Sequence, residues 1–518
     1  MFKMATPFTF DSHVSTSSGF IFCFMLIFYW AIVRPFYISQ LRHVPGPRLA
    51  AISSLWLDSR YYNETAVPLI RSLHAKYGPI VRVGPNEVAI DDPKQLSTIY
   101  GVRSTFTKPS TALLFQNYGF PNIFSAVTRE EHRQRKKHVA KVYTMNAQLN
   151  NTSLMGYIQN RIERLFGLID AKAGKATDIY TLAGYFALDN VSYMVYGESM
   201  DTLGGKNLQA PEYIRSLSIS GAPFVRFSWL FDGILRNWPL SLLIPQFMAR
   251  SSTSRDSLAA ICQGVIDRVN SKDTPVSTVS TALGYMQSQP EFGTSPTEGQ
   301  VKSECFDHVS AGADTTAASI AYALYTLSLP RHHKYQDKLR QEVSQLLWPF
   351  DFKAICGLPF LDACTFEILR LYAPGPGSLQ QRVTPFGEAT SLNIQGQIYV
   401  LPPGTTVGIQ AYSLHHNEAV FGTAIDEFRP ERWEASDEKQ LHAMKEAWIP
   451  FGSGARTCLG MNLAIIELKV LLASVLYHYT VDPDPSMDPD DMSPMYAAVI
   501  RPKAERCDLR FTRISSTN

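Results

Sequence analysis

Phe451-Gly452-Ser453-Gly454-Ala455-Arg456-Thr457-Cys458-Leu459-Gly460 is the stretch from which the rest of this chain is read. A lone cysteine is most often a small buried apolar residue, but the neighbours of Cys458 point elsewhere. Gly452 and Gly454 permit turns that a side chain would forbid, so the backbone can curl around one point. Backbone N–H groups turned inward hydrogen-bond a thiolate and hold it charged. Arg456 is a permanent cation two residues before the sulfur, suited to an acidic group of a bound cofactor. Gly460 follows two residues after it, where the next helix must approach something flat and bulky. From Met461 onward Leu463, Ile465, Ile466, Leu468, Val470, Leu471 and Leu472 predict an apolar helix that packs beneath that cofactor. A glycine-rich turn that presents one thiolate and then enters a helix is how a cysteine-ligated haem iron is held.

Phe-x-x-Gly-x-Arg-x-Cys-x-Gly resembles the haem-binding signature of the cytochrome P450 family, and residues 451–460 match each of its fixed positions. The resemblance implies that Cys458 is the axial ligand of the iron of haem b. It also implies that Phe451 packs against the ligand loop and that Arg456 binds a haem propionate.

The chain has 518 residues, 45% apolar and 18% charged, enough for a large core and too apolar for global disorder. A formal net charge of +2 argues against a nucleic-acid binder. Seven scattered cysteines without Cys-x-x-Cys pairs indicate neither a zinc site nor a disulfide framework, and an odd count suits a reducing compartment.

Fifteen apolar residues, 19–33, precede Arg34 and Pro35, and Phe36, Tyr37 and Ile38 extend the run toward a spanning length. A cleaved signal peptide and a buried core helix are the rival readings. No small-x-small site follows promptly, and the basic residues Arg34, Arg42 and Arg48 lie after the segment. The expected division is a lumenal terminus (1–18), a single-pass anchor of the endoplasmic reticulum membrane (19–38), a proline-rich hinge (39–50) and a cytosolic haem-binding domain (51–518). Pro45-Gly46-Pro47 stiffens the hinge. Alternation around Gly84-Pro85-Asn86 predicts a β-hairpin over 77–90, in wording similar to filamentous-fungal members of the family. Asn63, Asn150, Asn151 and Asn190 head Asn-x-Ser/Thr triplets, which a cytosolic body makes chance occurrences.

Residues 129–141 are densely basic, either a solvated helix face or, by resemblance, the helix crossing the haem edge. The second reading puts His132 where the family commonly has tryptophan and Lys136 where it commonly has arginine, both toward propionates. Outward cations would then steer an acidic redox partner. Residues 215–250, with Phe224, Phe227, Trp229, Leu230, Phe231, Ile234, Leu235, Trp238, Leu240, Leu242, Leu243, Ile244 and Phe247, read as core or, by resemblance, as the roof of an apolar substrate pocket.

Ala311-Gly312-Ala313-Asp314-Thr315-Thr316 lies within an apolar helical pattern, although Gly and two Thr are poor helix formers. Gly312 is expected to clear the helix over the haem. Thr315 is expected to hydrogen-bond the carbonyl one turn back, opening the helix, and Asp314 to relay protons from solvent. The segment resembles the family's Ala/Gly-Gly-x-Asp/Glu-Thr-Thr motif, which implies that Asp314 and Thr315 are catalytic and deliver the protons that split dioxygen. Glu367 and Arg370 stand three apart on one helix face. The family pairs such a Glu-x-x-Arg with the arginine of a Pro-Glu-Arg segment, here Arg432, in a structural lock on the ligand loop. Between them residues 374–382 would face the haem from the side, with Arg382 a second propionate partner and small Gly377 and Ser378 leaving room for substrate.

The expected fold is mainly α (α+β), helix-rich with a small β-rich region. The resemblance implies a haem-thiolate monooxygenase that inserts one atom of O2 into an apolar small molecule, a terpenoid, polyketide or alkaloid intermediate of fungal secondary metabolism. Electrons would come from a separate NADPH-cytochrome P450 reductase, with cytochrome b5 a further candidate donor. The alternatives are a haem-thiolate isomerase or dehydratase that does not use O2, and a non-enzymatic haem sensor or electron carrier.

Overall fold

The computed structural model describes residues 12–227, 246–271, 281–287, 296–377, 380–434 and 437–514. Helices dominate and the strands are short, as the patterning predicts. The N-terminal helix Ser12–Phe28 continues as a wider-wound segment, Tyr29–Ile38. Its apolar side chains are outward, Phe20 being 78% exposed. Gly19–Ile38 is long and apolar enough to cross a membrane. Met461–His478 passes the same test but is two-thirds buried, and so is a core helix.

The hinge is tied to the body rather than loose. Arg82 donates to Pro35 O at 3.0 Å, to Ser39 Oγ at 3.1 Å and to Pro85 O at 2.8 Å, and its own N–H donates to Pro45 O at 2.7 Å. A Cβ at Gly46 would stand 2.3 Å from the Arg82 carbonyl oxygen, so only glycine fits between the two prolines. Arg82 sits on the predicted hairpin, β1 (Ile80–Gly84) and β2 (Glu87–Ile90), which is antiparallel and turns where Gly84-Pro85-Asn86 predicts. With β3 (Arg382–Val383) and β4 (Thr406–Gly408) it forms a four-stranded sheet of order β1-β2-β4-β3, in which β2 and β4 run parallel.

Six helices position the site. The basic run forms α1 (Arg129–Lys137), opened by a capping box in which the Thr128 hydroxyl accepts from the Glu131 N–H and the Glu131 carboxylate accepts from that of Thr128. Then come α2 (Ile179–Tyr196), α3 (Ala210–Arg226), the long α4 (Glu298–Ser328), α5 (Pro359–Leu371) and α6 (Met461–His478). Most of α4 and α6 is buried in one large core, which is why their patterns read as apolar on nearly all sides. Asn190 lies fully buried in α2, where the fold leaves no room for a glycan. Of the apolar residues between 215 and 250, Trp229, Leu230, Phe231, Ile234, Leu235, Trp238, Leu240, Leu242, Leu243 and Ile244 lie outside the described residues, as does the side chain of Phe247.

Glu367 of α5 is fully buried and accepts five hydrogen bonds. Arg370 donates twice, at 2.8 and 2.9 Å, and Arg432 Nε, the Arg429 N–H and Trp433 Nε1 donate at 3.1, 3.1 and 2.9 Å. Burial pushes the carboxyl up, but the Arg370 hydrogen bonds and the Arg370 and Arg432 charges outweigh it and hold the group below the ordinary range. Arg370 Nη1 reaches on to His415 O and Ile425 O, and Arg432 Nη2 to Ala424 O. His415, which nothing in the sequence singled out, completes the connection: its Nε2 accepts the Ile449 N–H at 2.8 Å, so its Nδ1 carries the proton and donates to Arg370 O at 3.0 Å. Ile449 is two residues before Phe451, so the lock reaches the start of the ligand loop. Replacing Glu367 with alanine leaves two cations buried without their anion. We expect Glu367→Ala to cost about 3–5 kcal/mol, read as a fall in the thermal unfolding midpoint; an unchanged midpoint would contradict the lock.

Candidate functional site

Two positive backbone angles make the ligand loop. Gly452 has φ +73° and Gly454 φ +69°, both in the left-handed region. At Gly454 the constraint is also steric, since a Cβ would lie 1.8 Å from the Tyr100 carbonyl oxygen. The Cys458 N–H donates to Phe451 O at 2.8 Å, which closes the loop, and the Phe451 ring packs edge-on to Trp448 with centroids 5.9 Å apart.

Cys458 opens onto a wide cavity between the loop and α6 on one side and α4 on the other. Burial pushes the Cys458 thiol up, and the Gly460 and Met461 amides that face the sulfur recover only part of that rise. Coordination to a metal ion deprotonates such a thiol outright.

Arg456, Lys136, Arg382 and His132 all line this cavity, as predicted, and Lys108 joins them. The lysine was missed because nothing around Phe106-Thr107-Lys108-Pro109 distinguishes it from a surface residue. Four of these cations spend donors on backbone carbonyls. Arg456 donates to Ala126 O at 2.6 Å and to Val127 O and Thr128 O at 2.9 Å, pinning the loop to the start of α1. Lys136 donates to Ala455 O at 3.1 Å, Arg382 to Gln381 O at 2.8 Å and Lys108 to Phe124 O at 2.5 Å. Carbonyls satisfy donors but do not cancel charge. Burial, followed by the charge of Arg382, lowers Arg456 to about 10. Burial and then Arg382 and Arg456 depress Lys108 far below its usual range. His132 falls to about 3 through burial and then the Arg456, Lys136, Lys108 and Arg382 charges, so it is neutral.

The opposite wall is α4. Thr315 lines the cavity and its hydroxyl donates to Ala311 O at 2.8 Å, the predicted partner. The helix stays α-helical through Ser328, however; the hydrogen bond forms without the expected opening. Asp314 points the other way, toward α3, where Ser218 bonds it and Arg215 and Arg501 lie near; burial raises it above the ordinary carboxyl value. Arg215 in turn pairs with the half-exposed Glu505 at 3.8 Å. Gly312 lines the cavity, and a Cβ there would also meet Val191 Cγ2 of α2 at 2.7 Å, so the glycine permits helix–helix approach as well. Gly377 likewise packs against Val67, 2.9 Å from the position of a Cβ, rather than opening space for substrate. Ser378 lies outside the described residues.

A thiol facing a wide cavity lined by Lys108, Lys136, Arg382 and Arg456 fits a flat metal cofactor that carries carboxylates, which haem is. The family description "Cytochrome P450" matches residues 44–507. The chain is 32% identical over 474 residues to the cytochrome P450 monooxygenase esdpH of Penicillium shearii, covering 88% of this chain and 90% of that protein. It is 29% identical over 503 residues to a pisatin demethylase of Fusarium vanettenii, covering 93% and 92%. It is 27% identical over 488 residues to the cytochrome P450 monooxygenase hepC of Aspergillus oryzae, covering 90% and 92%. The chain belongs to the cytochrome P450 family. It is a haem-thiolate monooxygenase, an oxidoreductase that takes O2, a substrate and electrons from a partner reductase; no observation favours the isomerase, sensor or carrier readings.

The two loop glycines separate experimentally. Gly454→Ala is expected to abolish haem incorporation, because the Tyr100 carbonyl cannot move aside. Gly452→Ala, with no contact shorter than 4.0 Å, should load haem at a stability cost of about 1–2 kcal/mol. Haem-to-protein absorbance ratios of the purified variants distinguish them, and equal loading would refute the steric account.

Proposed function

We propose that Cys458 is the axial ligand of the haem iron, that Arg456, Lys136 and Arg382, with Lys108, hold its propionates, and that neutral His132 donates to one of them. The ring of cations on a cavity that a cysteine sulfur faces carries this reading. When bound, haem supplies the activation of dioxygen, and a thiolate ligand favours O–O cleavage. Phe451 shields the sulfur side of the loop, and Glu367, Arg370 and Arg432 fix that loop in place. Asp314 supplies protons from the solvent side: burial keeps its carboxyl inclined to hold a proton, and the Arg215–Glu505 pair leads outward. Thr315 passes them on by releasing the Ala311 carbonyl and turning its hydroxyl into the cavity.

The substrate on this reading is an apolar small molecule, a terpenoid, polyketide or alkaloid intermediate of fungal secondary metabolism. Fungal monooxygenase relatives support it, as do Ile123, Phe124, Val191 and Leu369 on the cavity wall. Electrons come from an NADPH-cytochrome P450 reductase, with cytochrome b5 a second donor, both docking at α1. Arg129, Arg133, Lys137 and Lys141 are exposed there, while Arg135 turns inward to Glu304 and Lys136 to the cavity, so the patch is narrower than the run of charges. Residues 19–38 anchor the chain in the endoplasmic reticulum membrane, with 1–18 lumenal, 39–50 the hinge and 51–518 cytosolic. The apolar outward faces of Gly19–Ile38 support that placement.

Reduced, carbon monoxide-treated wild-type protein should show the red-shifted Soret band of a thiolate-ligated haem, and Cys458→Ser should lose it. A band that is absent from folded wild type, or unmoved by the substitution, refutes the ligand assignment. Thr315→Ala should keep that band while product formed per NADPH consumed falls about a hundredfold; an undiminished yield would remove Thr315 from the proton route.

A further inference from the structure

One side chain on the cavity wall has no part in the chemistry above, yet its residue touches three components of the site. Tyr100 ends the short helix Leu96–Tyr100, is buried, and lines the cavity. Its carbonyl oxygen fills the space that a Cβ at Gly454 would need, so its main chain sets how closely the ligand loop approaches. Its hydroxyl accepts the Ile409 N–H at 2.9 Å. Ile409 directly follows β4, and β4 pairs with β3, where Arg382 stands opposite Val407. The face of the Tyr100 ring carries the Arg382 guanidinium, whose Cζ lies 4.9 Å from the ring centroid. At that range the negative face of an aromatic ring attracts a cation. Arg382 has little else to hold it. Of the five N–H donors of a guanidinium, one is spent among the described residues, from Nη1 to the carbonyl of its own chain neighbour Gln381. Lys108 and Arg456 lie close enough that the Arg382 charge lowers both, so they repel it in return. A long, rotatable side chain repelled by two cations keeps one position only against a favourable surface.

We infer that Tyr100 is a positioning residue for haem, its ring presenting the Arg382 guanidinium to a propionate while its carbonyl fixes the approach of the cysteine loop. This deepens the haem reading and rests on Arg382 as a propionate partner. Both contacts come from one residue, so the cation and the loop are placed relative to each other rather than independently. The contacts are chemically separable. The main-chain carbonyl is present whatever the side chain, whereas the ring is not, and the hydroxyl can be removed without the ring. The placement of Arg382 also has an electronic consequence. Reduction of the iron adds one negative charge, which a nearby cation favours, so a well-presented Arg382 raises the reduction potential of the haem. A guanidinium that swings away from the propionate loses part of that effect.

The test uses the full-length, haem-loaded protein and reads the reduction potential of the haem by spectroelectrochemical titration. Arg382→Leu should lower the potential. Tyr100→Leu should lower it too, by less, whereas Tyr100→Phe, which keeps the ring face, should hold the wild-type value. In the double variant the potential should equal that of Arg382→Leu alone, because the ring acts through the cation. Three results overturn the proposal: a wild-type potential in Tyr100→Leu, a fall in Tyr100→Phe as large as that in Tyr100→Leu, or a double variant in which the two falls simply add. The last is what an independent structural contribution gives. Should Tyr100→Leu fail to load haem, trifluorophenylalanine at position 100 keeps the ring shape while stripping its face of negative charge, and decides by the same criteria. The reduced carbon monoxide band, recorded on every sample, keeps the questions apart. Its absence in wild type counts against the haem assignment, and an unchanged potential in Arg382→Leu counts against that arginine as a propionate partner; either result takes the proposal with it. A fall in Arg382→Leu with none in Tyr100→Leu counts against Tyr100 alone.

Discussion

The structure depends on one buried carboxylate. Glu367 sits at zero exposure among Arg370, Arg432, Trp433 and the Arg429 amide. Its charge is stable there only because every lone pair has a donor, and each arginine reaches onward to carbonyls of the segment that precedes the cysteine loop. Removing water from such a network makes its geometry nearly all-or-none. The loop is held by a buried ionic frame and by the Tyr100 carbonyl at Gly454, rather than by its own short-range contacts.

That frame positions a sulfur opposite a helix and leaves a wide cavity between them. The cavity is electrostatically lopsided: five basic side chains line it, and neighbouring cations lower Lys108, His132 and Arg456. A protein tolerates this arrangement when a bound group brings the missing negative charge. Two neighbours on α4 face opposite ways. Thr315 faces the cavity, whereas Asp314, its neighbour in the chain, is turned by the helix toward α3 and the Arg215–Glu505 pair.

Much of this was legible from residue order. The glycines at 452 and 454, the arginine at 456 and the cysteine at 458 are local requirements of one tight loop, and local requirements leave a dense motif. The 31-residue helix through Ala311–Thr316 and the hairpin at Gly84–Glu87 were legible for the same reason. What failed concerned neighbours distant in sequence. Gly377 was assigned to substrate and accommodates Val67 instead, and the close approach of Val191 to Gly312 was not foreseen. His415 and Lys108 carried no signal, because a histidine between two carbonyl-rich segments and a lysine before a proline look ordinary until burial is known.

Residue order alone therefore determined the chemistry: a cysteine ligand, an acid–threonine pair, and a glutamate–arginine pair with its distant arginine partner. These are short-range patterns whose residue types the reaction itself demands. Only the tertiary structure decided which way each group faces. It turned Arg135 and Lys136 inward, sent Asp314 behind the helix, and laid Arg382 on the Tyr100 ring. Direction is settled by helix rotation and by the packing of elements hundreds of residues apart, and neither is written in any local stretch of sequence.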